Sequence, residues 1–578
     1  MNKKEKDSFE FIKNKNLLPF HLKEDLEKSN FLVIFVNQRS GSQEGTIIME
    51  LAKKYHHSSI KDFNILTFPI ISNLIYSKTT SNLTKTNNNN NNNHNNNIHY
   101  KKIEYEEKEI FSIIVFDILD KYDYQHGINF VKDYLNNYKS NNIKIIIGGG
   151  DGTILRLIEE LKKNDIIMER CIFGSMPLGT GNDLSNSLGF GAEVNINYSI
   201  NRLQKILYNY LIAKIIKIDI WELNIIIKEN GLINEITTYG DKIMFEEENN
   251  KKPLKQFKKT FINYFSLGYD AKVGSVFEQK RSSNRYINKI IYGWEATKRY
   301  LFCKKNVKIN KVLDFYIRKN DEYHSESSDS ENESSSEDYK KLSKKEKLIE
   351  QFKRLKHKFR FRKTKKFSIF RTNPCNNQIE EFKQIKLKGR PVDLIGQNID
   401  FYMGGTQGIW NKSDNIGIKF LRGKKYEKIK KRIINNFHEQ SFDDKKIEFF
   451  TYNSGIEMAI ERIFTGQSKR VYQGFGPVFL LFKENPNKSE FETMNKIYLN
   501  ADGEFFHLMQ PKEIILKLNN EICDGQINFL KNENWPLNDE ESLNLLENIT
   551  VAPNVIKKRY VSFFLLCIFI IIYIINIL

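Results

Sequence analysis

The chain has 578 residues, enough for two or three domains, and its 40% hydrophobic and 13% aromatic content suits a globular protein. A formal net charge of +19 favours anionic partners such as phosphates, acidic lipids or nucleic acid. Five scattered cysteines (Cys171, Cys303, Cys375, Cys523 and Cys567) show neither metal-ligand spacing nor a disulfide framework, which points to a reducing compartment.

The first residues, MNKKEKDSFEF, lack the apolar stretch of a secretory signal, and residues 1–29 read as a charged lead-in. FLVIFVN (31–37) is a continuous apolar run of strand length, as buried parallel strands are. A polar turn, NQRSGSQEG, follows it, and TIIMELAKKYH then has helical spacing. The asparagine tract at 87–97 cannot bury enough apolar surface to fold and reads as a surface insertion. IFSIIVFDI (110–118), IKIIIGG (143–149) and CIFGSMPLG (171–179) give further strands, with GINFVKDYLNN a helix between the first two. Strand and helix alternating at this spacing predict a parallel, Rossmann-like sheet covered by helices over 30–214.

From 215 to 535 the texture changes to strand-like segments with few helices, which predicts a second, mainly antiparallel domain. An acidic block, HSESSDSENESSSED, and a basic run at 340–367 interrupt it within an insertion drawn at 318–385. The basic half could rest on anionic lipid, and its acidic neighbour offers serines for phosphorylation. Residues 536–559 read as a linker. Residues 560–578, YVSFFLLCIFIIIYIINIL, carry no charge; as a helix they would run about 28 Å, close to the hydrocarbon thickness of a bilayer. Lys557, Lys558 and Arg559 precede them, so the expectation is a transmembrane tail anchor with the globular part cytosolic.

The stretch KIIIGGGDGTILRLIEEL (144–161) runs from a strand through glycines into a helix. A helix N-terminus offers N–H groups and a positive dipole end to an anion. Gly148, Gly149, Gly150 and Gly152 omit the Cβ atoms that would hold a phosphate away, and Thr153 adds a hydroxyl. Asp151 would repel a bare phosphate; it fits if a magnesium ion or an attacking hydroxyl lies between them. A second such loop, PLGTGNDLSNSLGFG, brings Gly179, Thr180, Gly181, Asn182 and Asp183 to another strand end, and VNQRSGS (36–42) brings Asn37, Ser40 and Gly41. Three loops at the C-terminal ends of parallel strands mark the ligand edge of an open α/β sheet. Neither GxxxxGK[ST] nor GxGxxG is present, so the P-loop and dinucleotide readings fail.

IFVN (34–37) with its SG turn, GGGDGT and PLGTGNDL, in that order and spacing, resemble the catalytic domain of the diacylglycerol kinase family. VFDILDKY (115–122), NYFSLGYDA (263–271), MGGTQGIWN (403–411) and NADGE (500–504) resemble its further segments and accessory-domain motifs. The resemblance covers roughly residues 31–225, 260–300 and 385–520. Sphingoid-base kinases usually have GSGNALA where GTGNDL stands here, and NAD kinases share only GGDGT. The zinc modules of many animal members are absent.

The resemblance implies transfer of the ATP γ-phosphoryl group to the hydroxyl of diacylglycerol, giving phosphatidic acid, with ATP and Mg2+ as cofactors. It assigns Gly148, Gly149, Asp151, Gly152 and Thr153 to the phosphates and magnesium, and Asn37, Ser40 and Gly41 to the nucleotide. Thr180, Gly181, Asn182 and Asp183 would close the other side, although Asn182 and Asp183 also suit helix capping. Glu504 is the first candidate for the general base and Asp151 the second; read without the resemblance, Glu504 is a turn residue. Asp270 is a candidate metal ligand or interface residue. Trp410 and Phe265 read as core or hinge residues, not substrate contacts. A sphingoid-base or ceramide kinase, and a catalytically inactive lipid-binding scaffold, are the competing readings. The partners expected are diacylglycerol and anionic membrane lipids, and no nucleic acid, because the basic run lacks a nucleic-acid-binding signature. The endoplasmic reticulum is the expected membrane.

Overall fold

In a computed structural model, the alternation of apolar strand and amphipathic helix produces the expected parallel sheet. The structure describes residues 31–40, 44–55, 64–69, 110–280 (save 180, 238–239 and 248–250), 307–319, 367–413 (save 388 and 403–404) and 437–533 (save 462–465 and 485–491). The strands are β1 (Phe31–Val36), β2 (Asn64–Pro69), β3 (Ile110–Asp117), β4 (Ile143–Gly149), β5 (Cys171–Pro177) and β6 (Lys214–Asp219). The helices are α1 (Glu44–Tyr55), α2 (Lys121–Asn137), α3 (Asp151–Lys163), α4 (Asp183–Ser187) and α5 (Ile200–Ile212).

The sheet runs β2-β3-β1-β4-β5, then the late strand Gln526–Lys531, then β6. The pairs β3–β1, β1–β4, β4–β5 and β5 with the late strand are parallel, and both edges are antiparallel. Every residue of β1 and β5 is buried, as a strand covered on both faces requires. On α3 the helical spacing puts Ile154, Leu155, Leu157, Ile158 and Leu161 against the sheet. Ile158 is fully buried, so Ile158→Ala would cost about 2–5 kcal/mol.

A single residue step carries the chain from β6 into β7 (Trp221–Ile236) and a second sheet of 13 strands, antiparallel throughout. At that step Asn398 donates from Nδ2 to Asp219 O (2.9 Å) and Ile262 O (2.7 Å), and accepts from Trp221 Nε1 (3.1 Å). These bonds stitch the sheets together, and residues up to Lys531 form one compact unit.

The first sheet is discontinuous in sequence. Its core was expected within 30–214, yet β6 and the strand Gln526–Lys531 complete it, because the buried edge of β5 needs a partner for its backbone. Within the stretch drawn as insertion, Ser368–Thr372 and Ile379–Ile385 pair as strands at the end of the second sheet. The asparagine tract, most of the acidic and basic blocks and the expected tail anchor at 560–578 lie outside the described residues. Among the described residues no helix is long and apolar enough to cross a membrane.

Candidate active site

The three glycine-bearing loops meet because β1, β4 and β5 are adjacent and parallel, so their C-terminal ends share one edge. Asn37 N donates to Gly148 O at 2.8 Å, and Asn37 Nδ2 reaches Thr153 Oγ1 at 3.5 Å. Ser40 lies in the same turn, its N–H donating to Asn37 O (3.2 Å). The loop after β4 holds the loop after β5 through Gly149 O, which accepts from Leu178 N (3.2 Å) and Gly179 N (3.1 Å).

Close packing within and between these loops accounts for two of the glycines. A Cβ on Gly149 would stand 2.6 Å from Thr153 Cβ, and one on Gly179 would stand 2.4 Å from Gly150 Cα. Around Gly181 nothing lies within 4 Å, and a Cβ on Gly152 would meet only Asp502 O, at 3.6 Å.

Asp151 occupies the first turn of α3, after Gly150 at φ −90° and ψ 175°. Its Oδ2 accepts from Asp183 N (2.9 Å) and its Oδ1 from Leu184 N (3.3 Å). The start of α4 is therefore capped by a carboxylate from the neighbouring loop. Asn182, at the N-cap position, makes no side-chain cap; its Nδ2 donates to Gly179 O (2.9 Å) and Ala192 O (2.7 Å), and its Oδ1 accepts from Gly179 N (3.1 Å). Asp183 is buried beside Asp151. Burial first, then the nearby Asp183 and Asp502 charges, hold the Asp151 carboxyl well above the usual range, against the pull of its two N–H donors.

Asp502 is a site residue that sequence reading passed over in favour of its neighbour. It sits in a two-residue turn joining strands Ile497–Ala501 and Glu504–Leu518, with φ +47° at Asp502 and +85° at Gly503. Its carboxylate accepts from Ile262 N (2.6 Å), Asn263 N (3.0 Å) and Tyr264 N (3.0 Å), which fixes the turn of the second sheet over α3. Burial raises its pKa to about 6 against these three bonds. The Asn-Ala-Asp-Gly-Glu pattern is a hairpin signal, but no local rule says where such a hairpin docks.

Glu504, one residue beyond the turn, pairs through Oε2 with Lys259 Nζ at 3.0 Å. Lys259, its side chain only 6% exposed, also approaches Glu159 of α3 at 3.9 Å. This lysine ties the second sheet to α3 and holds Glu504 beside the helix that carries Asp151.

Asp270 falls elsewhere. It begins helix α6 (Tyr269–Gln279), at the far end of strand Tyr264–Gly268 from Asp502. Its Oδ2 accepts from Ser266 Oγ (2.8 Å) and Tyr402 Oη (2.7 Å), and its N–H donates to Asp393 Oδ1 (2.7 Å). The structure thus assigns it a buried bracing role and does not bring it to Asp151. Among the described residues no group of three or more His, Cys, Asp or Glu is arranged as a metal cluster. Trp410 and Phe265 are fully buried, which places them in the core, one of the two roles read from sequence. Gly41 and Thr180 lie outside the described residues.

Next to the Asn37 turn, a pocket of about 490 Å³ is lined by Gln38, Arg39, Thr46, Asp117, Leu119 and Asp120. Gln38 Nε2 donates to Asp117 Oδ2 (2.5 Å), and Asp117 Oδ1 accepts from Leu119 N (2.9 Å). The pocket opens at the strand ends that also carry the glycine loops.

Comparison with known proteins agrees with this arrangement. The diacylglycerol kinase catalytic domain model matches residues 89–209 and the diacylglycerol kinase accessory domain model matches residues 260–505. Mouse diacylglycerol kinase iota is 33% identical over 180 residues, 29% of this chain and 15% of that protein. Diacylglycerol kinase 7 of Arabidopsis thaliana is 29% identical over 180 residues, 28% of this chain and 36% of that protein. A probable diacylglycerol kinase 3 of Caenorhabditis elegans is 31% identical over 157 residues, 26% of this chain and 18% of that protein. The chain thus spans between about one seventh and one third of these relatives' lengths. Because one family's two domain models match in succession, one on the glycine-loop sheet and the other on the sheet that presents Asp502 and Glu504, the chain belongs to the diacylglycerol kinase family.

Proposed function

We propose that the protein transfers the γ-phosphoryl group of ATP to the free hydroxyl of diacylglycerol, giving phosphatidic acid. The observation that carries this reading is the position of Asp151, joined by hydrogen bonds to the second glycine loop and facing the Asp502 turn. The phosphates would lie along the loops after β1, β4 and β5, with the base and ribose toward the Gln38–Asp117 pocket. Gly181 leaves open space for a phosphate, and Asn37 and Thr153 supply polar groups.

The residues fit a magnesium ion in one respect. Asp151, Asp183 and Asp502 sit close enough to raise the proton affinity of Asp151, a tension that a divalent cation would relieve. Asp151 and Asp183 are the side chains we assign to it; bound there, the ion would neutralise charge on the transferring phosphoryl group.

In the transfer, the diacylglycerol oxygen forms a bond to the γ-phosphorus while the bond to the β–γ bridging oxygen breaks. The hydroxyl proton passes to a carboxylate, and Glu504 is our first assignment. Lys259 orients it and its side chain is 35% exposed, whereas both Asp151 oxygens already accept backbone donors. Residues 560–578 would anchor the protein in the membrane that holds its substrate, with the endoplasmic reticulum favoured.

Radiolabelled ATP and magnesium with mixed micelles offering diacylglycerol, ceramide or a sphingoid base test the reading, with Asp151→Asn as control. Labelled phosphatidic acid that disappears in the variant supports it. Label on ceramide or the sphingoid base would keep the fold and overturn the substrate. ATP binding with no transfer to any lipid would favour the inactive scaffold.

A further inference from the structure

The pocket beside the Asn37 turn contains a buried carboxylate that the transfer chemistry leaves without a task. Asp117 ends β3 and is 8% exposed. Both its oxygens are fixed by donors, Oδ2 by Gln38 Nε2 and Oδ1 by Leu119 N. A carboxylate has about four lone-pair sites, so these two bonds leave room for further donors. Two hydroxyls on adjacent carbons are a donor pair of the right kind, and an acidic residue beside a phosphate loop serves a ribose in this way in other open α/β sheets.

The register of the sheet sets the spacing. Val36 of β1 pairs with Asp117 on one side and with Gly148 on the other. Strands lie about 4.8 Å apart, so Asp117 stands roughly 10 Å from the first glycine loop, with the Asn37 turn between them. The phosphates belong at the glycine end. At the other end Asp120 caps α2, its Oδ1 accepting from Tyr122 N and Asp123 N at 2.9 Å each. Those two N–H groups are taken, and a second carboxylate lines the pocket where a phosphate would need donors. The sugar is the part of a nucleotide that fits there. Leu119, 45% exposed and also lining the pocket, offers the attached base an apolar surface.

We propose that Asp117, its carboxylate held by Gln38, receives the vicinal ribose hydroxyls of the nucleotide and makes the protein select ribonucleotides over deoxyribonucleotides. The inference rests on the reading that ATP is the phosphoryl donor, and it names the side chain that recognises the sugar.

The test is equilibrium binding to the full chain in detergent, by calorimetry with magnesium, so that the readout needs no phosphoryl transfer. ADP, 2′-deoxy-ADP, 3′-deoxy-ADP and GDP are compared. A hydrogen bond to a charged acceptor is worth about tenfold in affinity or more, so wild type should bind each deoxy form about tenfold more weakly than ADP. Asp117→Asn, which leaves a neutral acceptor, should weaken ADP binding and shrink that difference to roughly threefold. If Asp117→Asn melts early, Gln38→Met removes only the amide that holds the carboxylate and should reduce the same difference. Equal wild-type affinity for ADP and both deoxy forms overturns the proposal without any variant. A sugar preference unchanged in the variants overturns it by placing the ribose elsewhere, and a change confined to the choice between ADP and GDP overturns it by making Asp117 a reader of the base. Transfer to diacylglycerol in mixed micelles is run alongside. Labelled phosphatidic acid with no sugar preference sinks the ribose contact alone, whereas wild type that neither binds nucleotide nor transfers phosphate sinks the ATP reading and this inference with it.

Discussion

Gly179 and Gly181 share one short motif, yet the structure gives them opposite roles. A Cβ at position 179 would stand 2.4 Å from Gly150 Cα and 2.8 Å from Gly150 N, whereas one at 181 meets nothing within 4 Å. Backbone cannot rotate away as a side chain can, so Gly179→Ala must move the two loops apart by roughly 1 Å to reach ordinary contact. Overpacking of this kind costs about 1–3 kcal/mol, which lowers Tm by roughly 1–3 °C in a unit of this size. A misplacement of about 1 Å beside the reacting groups can reduce turnover about a hundredfold. Gly181→Ala should leave Tm within about 1 °C of wild type, because a substitution into open space without backbone strain changes stability by at most ~0.5 kcal/mol. Any loss of activity there would come from crowding a phosphate. Differential scanning fluorimetry and turnover in mixed micelles give both quantities. If Gly179→Ala melts and turns over like wild type, the contact between the glycine loops is not what the glycines serve.

Three further outcomes follow from other parts of the molecule. Burial raises Asp219 from 3.8 to about 7, so the folded protein holds a proton that the unfolded chain has released. Stability should therefore fall as pH rises from about 4 to about 7 and level off above; Asp219→Asn should flatten that slope in urea midpoints, and an unchanged slope would refute the assignment. Lys259→Met leaves Glu159 and Glu504 facing each other and should cost about 1–2 kcal/mol, discounted because both carboxylates are about a third exposed, with Lys259→Arg recovering part of it in urea titrations. Cleavage of the chain before Tyr560 should reduce activity on vesicles far more than on detergent-dispersed substrate, and equal losses would dismiss the tail as an anchor.

What the sequence makes legible here is local. The apolar run and its glycines fix β4, and the spacing of Ile154, Leu157, Ile158 and Leu161 fixes the inner face of α3. What it hides depends on contacts between distant residues. Asp151 caps a helix 32 positions further on, and Asp502 braces a turn more than 230 positions earlier. A capping signal is sought within a few residues, so Asn182 and Asp183 drew attention that belonged to Asp151. The pairing of Glu504 with Lys259 is likewise invisible until strands about 245 positions apart join one sheet, because each residue reads as an ordinary surface charge on its own strand. The edge strands around 368–385 were masked by the strongly charged composition before them, although their own alternation is that of strands.

The strand Gln526–Lys531 lies between β5 and β6, about 350 positions after β5 has been made. At a synthesis rate of about 5–20 residues per second, the wholly buried β5 would wait roughly 20–70 s on the ribosome before its neighbour exists. For that time an apolar strand with unpaired backbone is available to other nascent chains. A catalytic fragment cut at the matched boundary, residue 209, would carry the same open edge permanently. Recombinant work on the glycine-loop domain alone should therefore expect aggregates, and a chaperone bound cotranslationally would have β5 as its natural target.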